Sequence, residues 1–320
     1  MSIQQIAIQS LDDLFRCVTL SSLLEISGWP KPGNVHRTKN FLNTTYEQFL
    51  AGAVAIQPNI YSFCRRIYQV RAKSSSSFAF VNLGQLFYDA SKSMMKWQQG
   101  GNVILGHILI LSPLVAAATI SIKEKKKLYE DFKNYLNKII EDGTVKDTVL
   151  LYNAIKCCNP GGLGKIRKYD ITEKQSIDEL KRDKITLKKI FDLSKDYDLI
   201  SKEYSSGFNI TLGIGLPYFN ESFKNYQDIN ISIVNTYLKL LSENEDTLII
   251  RKSGKLAALK VKNAAKEIIL NDGIATEKGL KMVRQFDIDL QKANGKLNPG
   301  TTADILTGVI FCALIFGLKF

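Results

Sequence analysis

The chain has 320 residues, of which 45% are hydrophobic and 23% are charged, an ordinary composition for a globular protein. This composition excludes a disordered chain, a collagen-like fibre and a small disulfide-stapled scaffold. Lysine and arginine number 43 against 31 acidic residues, so the formal net charge is +12. Such an excess favours a polyanionic ligand: a nucleic acid, an acidic membrane surface or a phosphate-rich metabolite.

The five cysteines show no C-x-x-C spacing and their number is odd, which argues against a zinc site and a disulfide framework. We expect reduced, mostly buried thiols in a cytoplasmic protein. Only two histidines are present, which excludes a histidine-rich metal site. The amino terminus lacks a basic segment and a long apolar run, so no signal peptide is expected.

Apolar residues recur with a period near 3.6 along most of the chain, the pattern of amphipathic α-helices. The first stretch, residues 8–27, stops at Gly28, because the following prolines and glycines cannot continue a helix. A polar break is expected at 72–77, a mobile loop within 165–189 and a link at 246–252. Further helices are predicted over residues 46–70, 80–98, 103–122, 123–140, 144–158, 187–204, 228–241 and 255–271, with a last helix beginning near residue 298.

Two of these segments are strongly apolar. Residues 103–122 contain no Asp, Glu, Lys or Arg and are long enough to span a bilayer, but they include Gly106, His107 and Pro113. A buried helix at the centre of a bundle is favoured over a membrane span, and His107 is interpreted as a core residue. Residues 305–318 are too short to span a membrane and are expected in the core. Without hairpin signals, repeats or linkers, we predict an all-α, single-domain bundle over residues 1–320.

Polar residues at the ends of apolar helices are the candidates for a site. Glu25 precedes a loop in which Lys31 offers a cation and Gly33 lets the backbone approach a ligand. The same loop has a plain alternative explanation as a helix stop, since proline and glycine end helices everywhere.

The start of the last helix is the second candidate. Thr301 and Asp304 are spaced i, i+3, so a hydroxyl and a carboxylate face the same way on its first turns. Hard oxygen ligands suit Mg²⁺, and the free N–H groups of a helix start suit phosphate. The alternative is capping alone, with Asn298 as the N-cap and Asp304 complementing the helix dipole.

Three further segments carry polar residues. Arg251 and Lys252 follow Asp246 and could bind a phosphate chain or form an exposed ion-pair patch. Asp196, Asp198, Glu203 and Tyr204 are predicted on one helix, with Asp196 and Glu203 on a shared face. Residues 159–164, Asn-Pro-Gly-Gly-Leu-Gly, could form a flexible phosphate loop, although no Walker or dinucleotide-binding pattern is present.

Taken in this order, the segments resemble the triphosphoribosyl-dephospho-CoA synthase family. The resemblance spans nearly the whole chain, and its most specific parts are K-P-G-N-V near the start and P-G-x-x-A-D near the end. The matching pieces are Glu25 with Lys31-Pro32-Gly33-Asn34-Val35, Gly101-Asn102, Asp198 with Glu203-Tyr204, residues 246–251, and Asn298-Pro299-Gly300-Thr301-Thr302-Ala303-Asp304.

The resemblance implies an all-helical enzyme that joins ATP to 3′-dephospho-CoA or a related acceptor and releases adenine, with Mg²⁺ as cofactor. Residues implied in catalysis are Glu25, Asp198 and Asp304. Residues implied in nucleotide binding are Lys31, Gly33, Asn34, Asn102, Arg251, Lys252, Gly300 and Thr301. Residues implied in metal binding are Glu25, Asp198, Asp246 and Asp304.

The sequence departs from the family pattern before the central helix. The family's Asn-Thr-His-Lys-Gly stands here as Asn102-Val103-Ile104-Leu105-Gly106, without the Thr, His and Lys, so the resemblance implies ATP as donor and either 3′-dephospho-CoA or a related molecule as acceptor. The implied partners are therefore small molecules, with neither nucleic acid nor membrane. Two other classes stay open: a basic helical nucleic-acid-binding protein without enzyme activity, suggested by the charge, and a membrane-embedded protein. If the enzyme hypothesis holds, helix packing must bring Glu25, Lys31 and Asp304 to one site.

Overall fold

The computed structural model describes residues 5–70 and 77–320, and α-helices account for most of them. No β-strand occurs in these two ranges, where only isolated bridges join Gln5 to Leu128 and His36 to Lys39. The all-α prediction is therefore confirmed. The α-helices are α1 Leu11–Ser27, α2 Tyr46–Ala55, α3 Gln57–Gln69, α4 Leu83–Trp97, α5 Leu105–Glu124, α6 Tyr129–Glu141, α7 Val145–Cys158, α8 Ser176–Arg182, α9 Leu187–Ser194, α10 Leu199–Ser206, α11 Leu216–Tyr226, α12 Ile229–Glu243, α13 Thr247–Ser253, α14 Lys255–Ile269, α15 Glu277–Gln291 and α16 Gly300–Ile315.

Helices α5 and α16 pack against each other at the centre, and α1 contacts both. Every residue of α5 from Leu105 to Ile122 is buried, as is nearly all of α16. By length and composition α5 is apolar enough to cross a membrane, yet its most apolar window is completely enclosed by the rest of the fold. Each large aliphatic side chain buried in this way stabilises the fold by about 1.5–3 kcal/mol. The prediction of two core helices is confirmed.

Pro113 lies inside α5 and fixes a neighbouring helix in place. Proline has no N–H, so the carbonyl of Leu109, one turn earlier, loses its helical donor. The Tyr204 hydroxyl, fully buried on α10, donates to that carbonyl at 2.6 Å. A gap in the backbone hydrogen bonding of α5 thus becomes the docking point of α10.

Two long segments predicted as single helices are broken. Residues 46–70 form α2 and α3, with Pro58 in the first turn of α3. Residues 187–204 form α9 and α10, because Asp198 adopts an extended conformation and its side chain accepts from the backbone N–H of Ser201. The prediction of one helix carrying Asp196 and Glu203 on a shared face was therefore wrong.

Other boundaries also differ from the prediction. The supposed link at 246–252 contains helix α13, and the lysines at 123–127 end α5 instead of starting α6. Helices α8, α11 and α15 were not predicted, because their apolar stripes are narrow or short. The break predicted at 72–77 lies, apart from Ser77, outside the described residues.

The buried apolar side chains form one cluster that reaches from Ile6 to Ile315. All five cysteines are free thiols and four of them are buried, in agreement with the expectation of reduced, mostly buried cysteines. The single-domain assignment of residues 1–320 stays a prediction.

Candidate active site

A polar cavity of about 340 Å³ opens where α5 and α16 begin. Leu105 and Gly106 of α5 and Gly300 and Thr301 of α16 line it, so two helix N-termini meet at one place. The first N–H groups of a helix lack intrahelical acceptors and carry a partial positive charge, which suits an anionic ligand.

A larger groove of about 580 Å³ lies between α1 and the pair α2–α3. Its walls are mostly apolar, with Phe15, Ile60 and Tyr61 among them, and they bring no carboxylate to the groove. The polar cavity is therefore the better candidate for chemistry.

The cavity wall brings together most of the site residues predicted from the sequence, although they come from distant parts of the chain. Glu25 lies near the C-terminus of α1, Asn102 precedes α5, and Arg251 lies on α13. The predicted residues that line the cavity are Glu25, Asn34, Asn102, Arg251, Lys252, Gly300, Thr301 and Asp304.

Glu25 is buried in a network of charged groups. The loop after α1 folds back, so that Lys31 Nζ donates to the Glu25 carbonyl at 2.7 Å and to its carboxylate. His107 Nε2 lies 3.2 Å from the other carboxylate oxygen. Burial opposes ionisation of Glu25, but Lys31 and then His107 outweigh it, so the pKa is lowered. Glu25 is therefore a charged carboxylate at neutral pH.

Asp304 faces the cavity beside Glu25. Its carboxylate receives no hydrogen bond from the described residues, and its nearest cationic candidate is His107 Nε2, 3.8 Å away. Burial, followed by the charges of Glu25 and Asp246, raises its pKa well above the ordinary value. The helices approach closely at this point, since a Cβ at Gly106 would overlap the Asp304 carboxyl group. Asp304 is thus a carboxyl group that a cation or a proton would stabilise.

Arg251 and Lys252 supply cations to the wall. Arg251 lies 3.3 Å from Asp198, and both side chains are partly exposed. Lys252 Nζ donates to the Gly295 carbonyl at 3.1 Å. Burial and then the nearby Arg251 lower the pKa of Lys252. This side of the cavity therefore offers two basic side chains, one of them paired with Asp198.

Two carboxylates predicted as metal ligands do not line the cavity. Asp246 is fully buried; one oxygen accepts from the N–H groups of Leu248 and Ile249, and the other accepts from the N–H and hydroxyl of Thr302. Asp198 caps α10 and pairs with Arg251. Asp246 joins α13 to α16 through Thr302, and Asp198 forms an ion pair with Arg251. Neither carboxylate reaches the cavity directly, and each is connected to it through another residue.

Lys31 and Gly33 also lie behind the wall. Gly33 has φ +74°, and a Cβ there would lie 2.9 Å from the Leu290 side chain and the Leu297 carbonyl. Close packing inside the protein, and not the approach of a ligand, therefore requires this glycine. Lys31 does not line the cavity, and its contact with the site is the ion pair with Glu25.

Two cavity residues carry polar atoms that have no hydrogen-bond partner within residues 5–70 and 77–320. They are His107, through Nδ1, and Asn298, through Oδ1; both atoms are buried. From the sequence, His107 was interpreted as a core residue, and Asn298 was the N-cap in the alternative of capping alone. Instead, Pro299 occupies the N-cap of α16, and no side chain caps this helix. The sequence signal for His107 was a polar side chain in an apolar helix, and Asn298 was also part of the segment 298–304 that carries the family resemblance.

Within the described ranges, no three His, Cys, Asp or Glu side chains are grouped so that they could hold a metal ion. The cavity instead offers two neighbouring carboxylates, two cations and two helix N-termini. Fold and site together define an all-helical protein with a cavity suited to a charged, phosphate-bearing small molecule.

Comparison with known proteins identifies the family. The family model of CitG, ATP:dephospho-CoA triphosphoribosyl transferase, matches residues 11–319. The chain belongs to this family. The resemblance drawn from the sequence is therefore confirmed.

Individual curated relatives match a smaller part of the chain than the family model does. A 2-(5''-triphosphoribosyl)-3'-dephosphocoenzyme-A synthase from Klebsiella pneumoniae is 30% identical over 104 residues, which are 32% of this chain and 34% of that protein. The protein of the same name from Escherichia fergusonii is 29% identical over the same shares. The matched segment thus spans about a third of the length of these curated relatives.

A crystal structure assigned to a triphosphoribosyl-dephospho-CoA synthase from Archaeoglobus fulgidus superimposes with a TM-score of 0.60. The match covers 84% of this chain and 100% of that one, at 22% sequence identity. At this identity the likeness supports the fold.

Proposed function

We propose that this protein transfers the 5-triphosphoribosyl group of ATP to a hydroxyl of 3′-dephospho-CoA or a related acceptor, in a Mg²⁺-dependent reaction that releases adenine. The observation that carries the proposal is the cavity itself, in a chain of this family. There, the Glu25 and Asp304 carboxylates share a wall with Arg251, Lys252 and two helix N-termini.

In this reaction the bond from ribose C1′ to adenine breaks and a bond from C1′ to the acceptor oxygen forms. The acceptor hydroxyl loses a proton and the departing adenine gains one, while the triphosphate remains intact. Positive charge develops at C1′ in the transition state, so a fixed carboxylate nearby lowers the barrier. The ionised, firmly held Glu25 is suited to this role.

The triphosphate needs cations that hold it without cleaving it. Arg251 offers a planar fork and Lys252 a point charge, and the backbone N–H of Thr301 adds a donor, whereas that of Gly300 already donates to the Asn298 carbonyl. Asp198 keeps Arg251 oriented through their ion pair. Phe41 and Phe49 line another part of the wall and offer an apolar surface to the base or the sugar.

The donor set around Asp304 fits Mg²⁺ accompanying the nucleotide. Mg²⁺ in such sites usually takes one or two protein carboxylates together with substrate phosphates and water, so a cluster of three protein ligands is not required. Asp304 has no hydrogen-bond donor among the described residues, and burial followed by the charge of Glu25 raises its pKa, so we assign it as the protein ligand. When bound, the ion would neutralise charge on the phosphates.

A cytoplasmic location is part of the proposal. The five free thiols support it, because the cytosol keeps cysteines reduced and supplies ATP.

The direct test is incubation of the purified protein with ATP, Mg²⁺ and 3′-dephospho-CoA, followed by chromatography for free adenine. We expect adenine and a new triphosphate-bearing product in equal amounts, and neither when EDTA is added. No adenine with any acceptor, together with DNA binding that falls steeply with salt, would favour the nucleic-acid alternative.

A further inference from the structure

The loop between α7 and α8 carries features that the fold itself does not require. Residues 159–161 line the cavity wall, and residues 161–168 are all exposed. Both ends of the loop are anchored. At the first end, Asn159 adopts a left-handed conformation and caps α7. At the second, Asp170 accepts from the N–H group of Thr172; it also accepts from the N–H group of Ile166 inside the loop, a bond that must break when the loop moves.

The glycines of the loop are the first of these features. Gly161 and Gly164 do not have positive φ, and a Cβ built on either would meet nothing within 4 Å. Packing requires many other glycines of this chain, as at Gly33 and Gly106. Neither the backbone conformation nor the packing explains Gly161 and Gly164, which leaves freedom of motion as the property that glycine supplies there.

The exposed apolar side chains are the second feature. Leu163 is 39% exposed and Ile166 is 39% exposed, and neither belongs to the hydrophobic core cluster. The cavity wall next to the loop contains Phe41, Phe49 and Leu248. Movement of the loop toward the cavity would bring apolar surface on both sides out of water.

The charges are the third feature. Lys165 and Arg167 form no direct ion pair within the described ranges of the chain, and the acidic group that Lys165 attracts is Asp170, whose pKa is lowered by hydrogen bonds and then by Lys165. At Gly162 a Cβ would lie 3.2 Å from Arg251 Cβ and 3.6 Å from Lys252 Cγ, so the loop already passes beside these two cations. A polyanion bound beside Arg251 and Lys252 would attract Lys165 and Arg167 toward the cavity.

We propose that residues 159–168 form a lid that closes over the cavity when the triphosphate of a nucleotide binds, with Lys165 and Arg167 then contacting its phosphates. The lid rests on the proposed function, since it needs a polyphosphate in this cavity. In the absence of ligand, the hydrogen bond from the Ile166 N–H to Asp170 and the attraction between Lys165 and Asp170 hold the lid open. With ligand, charge pairing and apolar burial close it.

Limited proteolysis tests the closure directly, because trypsin cleaves after Lys165, Arg167 and Lys168. We expect Mg-ATP, without acceptor, to slow cleavage within the loop at least tenfold. Cleavage at Lys125 and Lys126, an exposed turn after α5, serves as the internal control and should not change. Fragments identified by mass spectrometry separate the two regions.

Two variants test the parts of the lid. Lys165→Ala/Arg167→Ala should raise the KM for ATP at least tenfold. The matched control Lys174→Ala/Lys181→Ala removes two exposed charges nearby and should change KM less than twofold. Gly161→Ala/Gly164→Ala, which the open loop accommodates, should leave the melting temperature unchanged and lower turnover at least tenfold.

The outcomes distinguish the lid from the proposed function. If calorimetry shows that ATP binds and the loop is still cleaved at the original rate, the lid is overturned and the function stands. The same holds if the double cation variant keeps a normal KM. If ATP neither binds nor yields adenine, the proposed function fails and the lid fails with it.

Discussion

Glu25 and Glu203 are both buried, but the protein accommodates their charges by different means. Glu25 faces the side chains of Lys31 and His107, and its pKa is lowered. Glu203 accepts hydrogen bonds from the backbone N–H groups of Ile210 and Thr211, at 2.7 and 2.9 Å. Burial dominates there, so the pKa of Glu203 is raised to about 7.

The difference separates the region that we propose as reactive from a structural one. Backbone donors at Glu203 fix the start of the π-helical turn Ile210–Gly215 and leave no carboxylate in the cavity wall. Around Glu25, the side chains of Lys31 and His107 lie next to a cavity where Asp304 receives no hydrogen bond from residues 5–70 and 77–320. A buried carboxylate alone is therefore a poor indicator of catalysis; its neighbours and its access to a cavity decide its role.

The largest effect is expected at Asp304. Asp304→Asn keeps the shape of the side chain but removes the anionic ligand for Mg²⁺, so adenine release should fall at least a thousandfold, with partial rescue at high Mg²⁺. The melting temperature should stay the same or rise slightly, because the repulsion from Glu25 is lost. Asp196→Asn, at an exposed position outside the cavity, is the control. Near-normal turnover in Asp304→Asn would remove this residue from the site.

The second effect concerns the pairing of Glu25. Lys31→Met leaves a buried carboxylate without its main partner, and we expect the free energy of unfolding to fall by about 3–5 kcal/mol in chemical denaturation. Glu25→Gln/Lys31→Met should recover part of this loss, since neither charge remains. Lys281→Met breaks an exposed pair with Glu277 and should cost less than about 1 kcal/mol. Equal losses in the two lysine variants would contradict the contrast between buried and exposed pairs.

The third effect is the pH dependence that Glu203 confers on the free energy of unfolding. Its folded pKa of about 7 exceeds the ordinary 4.5, so the folded state binds the proton more tightly than the unfolded chain. The associated stability is complete below pH 4.5 and is lost as the pH rises through about 7, a change of about 3 kcal/mol. Denaturation of the wild type and Glu203→Gln at several pH values measures the difference. The prediction fails if both proteins show the same pH dependence; Glu267→Gln, at an exposed position, should match the wild type.

The smallest effect is expected at Arg251. Arg251→Ala removes a charge-assisted contact to the triphosphate, and calorimetric affinity for Mg-ATP should weaken by about 1.5–3 kcal/mol. Lys181→Ala, an exposed cation on α8, should bind as the wild type does. Unchanged affinity in Arg251→Ala would show that the phosphates lie elsewhere. The lid proposal, which places the phosphates beside Arg251 and Lys252, would then be contradicted as well.

The helix ends at proline and glycine were predicted better than the breaks inside long predicted helices, for a physical reason. Gly28 after α1 and Pro299 before α16 limit the local backbone, and such limits do not depend on the rest of the fold. The break at Asp198 was missed because an Asp side chain can either cap a new helix or lie within a continuous one. The local sequence is only a weak indicator of which occurs.

The amino-acid sequence by itself determined that the chain is helical, that two apolar helices form its centre, and that polar residues cluster at their ends. These properties follow from a period of 3.6 residues and from proline and glycine, all of which act over a few neighbouring positions. The tertiary structure alone decided which of these polar residues share a cavity. In the folded protein Lys31 donates to Glu25, and Asp246 accepts from Thr302 away from the cavity. His107 lies between Glu25 and Asp304. The direction of a side chain depends on how helices from distant parts of the chain pack, and no local pattern encodes that packing.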